Sequence, residues 1–130
     1  MVENSIITIR RRVLLCQVTS GAVSSIPPIT HIAFGQGGVD TAGNIIPPLS
    51  DATGLADELA RYPITSVTYP LDPPTTARYV AVIPENDLAG APISEAALVD
   101  GGGGVQAIRT FFVKRKDGGV TFTFTFDDEF

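Results

Sequence analysis

Between Ser5 and Val18 apolar residues fall at Ile6, Ile9, Val13 and Cys16, with Ile7, Leu14 and Val18 beside them. This three-to-four spacing predicts a helix, while the β-branched content leaves open a strand followed by a short helix. Ser20-Gly21 and Pro27-Pro28 end the segment in either case. Ile29 to Phe34 reads as a short strand running into the turn Gly35-Gln36-Gly37-Gly38, and Asp40 to Pro48 continues as irregular loop. Ser50 or Asp51 can cap a second short helix, on which Leu55 and Leu59 share a face and which Pro63 stops just after Arg61.

The second half changes period. β-Branched and aromatic runs stand at Ile64 to Tyr69, Arg78 to Ile83, Ile93 to Val99, Val105 to Val113 and Val120 to Phe126, with turn residues between each pair. Asp117-Gly118-Gly119 is expected to close a hairpin between Val113 and Val120, a glycine supplying positive φ. In the last run Val120, Phe122, Phe124 and Phe126 point one way and Thr121, Thr123 and Thr125 the other. Burying four such side chains is worth roughly 1.5 to 3 kcal/mol each, so this face belongs either to the core or to an intersubunit contact.

The expected fold is α+β and mostly β: an antiparallel sheet or small sandwich with one or two short helices in the N-terminal half. One domain is expected over residues 1–130. It comprises an N-terminal arm or helix (1–28), a Gly/Pro-rich loop with a short helix (29–63) and an antiparallel β region (64–130).

Composition narrows the function classes. Of the 130 residues 44% are hydrophobic and 18% charged, enough apolar material for a core and a lightly charged surface, as in a subunit that hides surface in an assembly. A net charge of −5 argues against nucleic acid as a partner. The basic runs Arg10-Arg11-Arg12 and Lys114-Arg115-Lys116 are read as solvated edges, with Arg10, Arg11, Arg12, Lys114 and Lys116 kept as candidates for a protein interface. The apolar run after the arginines, Val13 to Cys16, is too short for an export signal or a membrane span, so folding in the cytoplasm and no membrane partner are expected. Cys16 and His31 are each the single residue of their type, which excludes an intrachain disulfide and the usual zinc ligand sets.

No constellation of residues points to catalysis, to a cofactor or to a metal. Gly35, Gly37 and Gly38 lead into a loop rather than a helix, so turn geometry explains them better than phosphate binding, as it does Gly118, Gly119 and the run Gly101 to Gly104. His31 has no nucleophile motif beside it and reads as a strand histidine with a satisfied hydrogen bond; Cys16 reads as a small buried core residue. Asp127-Asp128-Glu129 lacks calcium-loop spacing and reads as an exposed tail. Glu95, in an apolar strand, is expected to point inward and to form a structural ion pair with Arg78 or Arg109 on a neighbouring strand.

Four segments carry a resemblance to a known family: I-T-H-I-A-F-G-Q-G-G at Ile29 to Gly38, P-P-L-S-D-A-T-G-L-A-D-E-L-A-R at Pro47 to Arg61, E-A-A-L-V-D-G at Glu95 to Gly101, and R-T-F-F-V-K-R-K-D-G-G-V-T-F-T-F-T-F at Arg109 to Phe126. In this order they resemble the phage tail-collar fibre family, the N-terminal, baseplate-attaching part of contractile-tail fibres. The resemblance implies a non-enzymatic structural virion protein that mounts or builds a tail fibre at the baseplate. It further implies other tail or baseplate proteins as partners, a homo-oligomer with a trimer favoured, and assembly in the host cytoplasm.

Two other classes compete. A small receptor- or carbohydrate-binding β-sandwich needs exposed aromatics, of which the chain offers only Tyr62, Tyr69 and Tyr79 besides its phenylalanines, with no tryptophan. A tail-associated cell-wall hydrolase needs two carboxylates across a cleft, and Glu58, Glu85, Asp87 and Glu95 show no such pairing along the chain.

Overall fold

The computed structural model describes residues 4–130. Strand β1 (Asn4–Ile7) leads directly into helix α1 (Ile9–Thr19), the strand-then-helix form of the opening segment. Thr8 sets the boundary: its hydroxyl accepts from the Arg11 N–H as N-cap and donates to the Val105 carbonyl at 2.7 Å. At the other end the Ser20 N–H closes on the Cys16 carbonyl, and Gly21 takes the left-handed φ of +86° that turns the chain away.

Six more strands follow, β2 (Ile29–Gly35), β3 (Glu58–Thr68), β4 (Thr76–Ile83), β5 (Pro92–Asp100), β6 (Val105–Arg115) and β7 (Phe122–Glu129). All pairings are antiparallel, in the order β1-β6-β5-β2-β3-β4-β7. The fold is therefore mostly β with one short helix. The sheet curls until its far strands meet across the interior, where Phe111 of β6 stacks on Phe124 of β7 at 5.5 Å and Phe34 of β2 meets Phe124 edge-on at 5.4 Å.

Curling gives the sheet two covered faces. The concave face holds the main core, including Ile32, Phe34, Leu98, Phe111, Phe124 and Phe126. The convex face carries a second cluster of Ala33, Ala97, Val99, Val105 and Ile108, against which Ala52 and Leu55 of the loop before β3 pack. Strand β5, central to both, is buried from Ile93 to Asp100. That double burial explains its run of small and aliphatic residues. No helix among the described residues is long and apolar enough to cross a membrane.

Two expectations are corrected. The segment from Ser50 to Arg61 is not a helix: it runs through turns and enters β3 at Glu58. The alternation in which Tyr62 and Ile64 pack on the core prevails over the Leu55/Leu59 spacing, because Glu58 to Pro63 of β3 pair with β2 and the strand then continues, from Ile64, in a ladder with β4. Nor does Asp117-Gly118-Gly119 close a hairpin. Strand β7 pairs with β4 along its whole length, from Ile83↔Phe122 to Thr76↔Glu129, so residues 116–121 form a crossing connection. Neither Gly118 nor Gly119 has a positive φ; the connection is held instead by Lys116 N–H to the Ala91 carbonyl and Asn86 N–H to the Gly118 carbonyl.

Candidate functional site

Glu95 anchors one end of β5 without a cation. Its Oε2 accepts from the N–H groups of Gly37 and Asp57 at 2.8 and 2.9 Å, and its Oε1 from Ala56 N–H at 2.9 Å. The expected ion pair is corrected: Glu95 faces Thr110 across the ladder on the convex side, whereas Arg109 stands opposite Ala96 on the concave side. Arg109 instead lies 4.4 Å from the Phe126 ring centroid and donates to the Thr125 and Asp127 carbonyls, spanning the gap between β6 and the edge of β7. Arg78 pairs with Asp127 at 2.8 Å. The glycine turn is required by close approach: a Cβ on Gly35 would come within 2.5 Å of the Asp57 carbonyl oxygen, and one on Gly38 would overlap the Ser94 carbonyl.

Helix α1 anchors the opposite end of β5. Arg11 makes a bidentate pair with Asp128 of β7 at 2.5 and 2.6 Å, both side chains being almost wholly buried. Its Nε also donates to Gln106 Oε1, and Gln106 Nε2 donates to Asp100 Oδ2 at 2.9 Å. Arg10 completes the chain through 2.8 Å from its Nε to Asp100. Burial of Asp100 opposes ionisation, but hydrogen bonds from Arg10, Gln106 and the Gly102 N–H outweigh it and hold the carboxyl below the ordinary range. No buried side-chain nitrogen or oxygen among the described residues lacks a partner.

These contacts relocate most of the interface candidates. Arg11 is 3% exposed and Lys116 is fully buried, its Nζ donating to the Asp117 carbonyl at 2.8 Å, so neither is a surface group. Phe124 and Phe126 belong to the chain's own core, and half-buried Phe122 packs against it. Those three rings therefore serve the folding of the chain itself, and of the closing face Val120 alone stays outward. Lys114 is half-buried over the Phe111 ring; Arg10 is tied to Asp100; only Arg12 and Val120 are well exposed. Asp128 departs from the exposed-tail expectation for the same reason that Arg11 does. Continuing the Phe122, Phe124, Phe126 alternation by one step turns Asp128 inward, a signal present in the sequence.

Cys16 is also corrected, being exposed rather than buried. The Arg11–Asp128 pair fixes the rotation of α1, leaving Ile9 and Val13 outward at 44% and 46% exposure on the same line as Cys16. His31 is half-buried with Nδ1 2.9 Å from the Thr30 hydroxyl. Of the remaining carboxylates, Glu58 is engaged by Arg61 and Asp87 by the Tyr62 hydroxyl. No group of three or more His, Cys, Asp or Glu that could hold a metal occurs among the described residues.

What remains available is apolar surface. Leu49 (70% exposed) and Ile46 rim a groove of about 200 Å³ floored by Ile108 and Thr110, and the Ile9 N–H bonds the Ser50 carbonyl, bringing this loop against the first turn of α1. The β3–β4 hairpin extends as an arm whose residues 65–75 are all exposed and whose tip carries Tyr69 and Leu71. Sequence reasoning missed both surfaces, since isolated apolar residues in loops carry no periodic signal. Compared with family models, curated proteins and solved structures, the chain finds no match.

Proposed function

We propose that this chain is a non-enzymatic structural subunit of a phage or phage-like contractile tail, attaching or forming the base of a tail fibre at the baseplate. The observation that carries the assembly part of this reading is the placement of exposed apolar side chains. Ile9, Val13, Leu49, Tyr69, Leu71 and Phe130 stand on a helix face, a loop, an arm and the chain end, around a frame whose buried polar groups are paired. Large apolar side chains so arranged favour a surface covered by neighbouring subunits. The resemblance of the four segments quoted above to tail-collar fibre proteins is what supports the place.

Imaging of tail particles from the strain that encodes the chain is the test. The chain traced at the baseplate–fibre joint is the expected result; particles with normal tails that lack it would sink the proposal. One observation favours a second reading, a receptor- or carbohydrate-binding module: Tyr69 is 64% exposed at the arm tip, where a ring can stack on a sugar. Binding on a glycan array that is lost in Tyr69→Ala would promote it.

A further inference from the structure

We propose that copies of this chain join head to tail, the tip of the β3–β4 arm of one copy seating on the outer face of helix α1 of the next. The inference deepens the assembly reading above and rests on it only for the claim that copies meet.

The receiving face is set by the buried Arg11. Because that side chain points inward, Ile9, Val13 and Cys16, at i, i+4 and i+7, line the opposite side of the helix. With Arg12 and Gln17 they bound a shallow depression of about 360 Å³. The donor is the arm. Val67, Tyr69 and Leu71 are 41%, 64% and 55% exposed there, and Pro70, Pro73 and Pro74 stiffen the tip, which lowers the entropy lost on docking. Both surfaces are open in a single copy, so they do not cover each other within the chain.

Charge selects the pairing. Helix α1 carries three arginines and no acidic residue; Arg10 and Arg11 are neutralised by Asp100 and Asp128, and Arg12 has no ion-pair partner among the described residues. Asp72 at the arm tip likewise has none. Docking the arm on the helix brings this cation and this anion together. Docking α1 on its own copy would set Arg12 against Arg12, a like-charge contact that disfavours the symmetric alternative. A contact between two different patches is heterologous and runs from copy to copy, ending in a closed ring or an open chain according to the rotation between neighbours.

Cys16 is the chain's single cysteine, which gives a clean test. Under mild oxidation the full-length Leu71→Cys protein is expected to run mostly as disulfide-linked species larger than a dimer. Adding Cys16→Ser removes every species above the dimer. Arg12→Glu in the Leu71→Cys background lowers the linked fraction at least tenfold, and Asp72→Arg added to it restores the ladder. All these positions are exposed, so circular dichroism and the thermal midpoint stay unchanged and loss of folding cannot imitate the result. Wild-type protein linked through Cys16 to Cys16, or Leu71→Cys protein that stays monomeric, overturns the proposal. A ladder from a chain absent from tail particles keeps the contact and sinks the functional reading; a chain present in tails without the ladder does the reverse.

Discussion

Glu95 and Asp128 are carboxylates 2% and 4% exposed, and the fold satisfies them in opposite ways. Glu95 is met by three neutral backbone N–H groups, from Gly37, Ala56 and Asp57, and Asp128 by both arms of one guanidinium. Backbone amides suit the first site because they come from two loops without regular structure: a buried acceptor at their crossing gives those donors a fixed place. A bidentate pair suits the second because it fixes direction as well as distance, and so sets which face of α1 turns outward. The difference predicts unequal damage. Amides that lose Glu95 can turn to water if the loop opens, whereas Asp128 without Arg11 is a charge left inside.

The comparison can be broken at several points. Arg11→Ala should cost about 3 to 5 kcal/mol in denaturant unfolding, and the double change Arg11→Met with Asp128→Leu should recover most of it, since the penalty comes from the unpaired charge. A loss below about 1 kcal/mol for Arg11→Ala would show that the pair does not hold the helix. Glu95→Gln should cost less, about 1 to 3 kcal/mol, because the amide nitrogen brings a donor to a site made of donors. Hydrogen exchange should then quicken at Gly37, Ala56 and Asp57 and stay unchanged in α1; equal acceleration in both places would erase the distinction between the two ends of β5.

Acid titration sharpens the α1 end. The folded Asp100 carboxyl lies below its ordinary value of about 3.9, so its contribution is complete above that pH and is lost as pH falls through the folded value. Asp100→Asn should flatten the decline in stability below about pH 4, while stability at neutral pH drops because an ion pair with Arg10 is gone. The smallest effect is expected at the arm, outside both clusters: Leu71→Ser should change unfolding stability by no more than about 0.5 kcal/mol, and a larger loss would mean that the arm supports the core.

The alternation of Phe122, Phe124 and Phe126 with threonines determined by itself that β7 has one buried face, and the β-branched runs determined a mostly β chain. The glycines at 35, 37 and 38 marked a turn, although close packing against Glu95 and Ser94 was the reason. These features are local, because a pleat or a tight turn is written in neighbouring residues. Which strand β7 would pair with was not local: the two-residue period sets its faces but names no neighbour, and β4 rather than β6 took that place. Residues 50–61 were decided by the ladder of β3 with β2 and by Glu95 nearly forty positions ahead. Only the tertiary structure could rotate α1, since Arg11 is drawn inward by an aspartate 117 residues away, and a charge is buried only where such a partner waits.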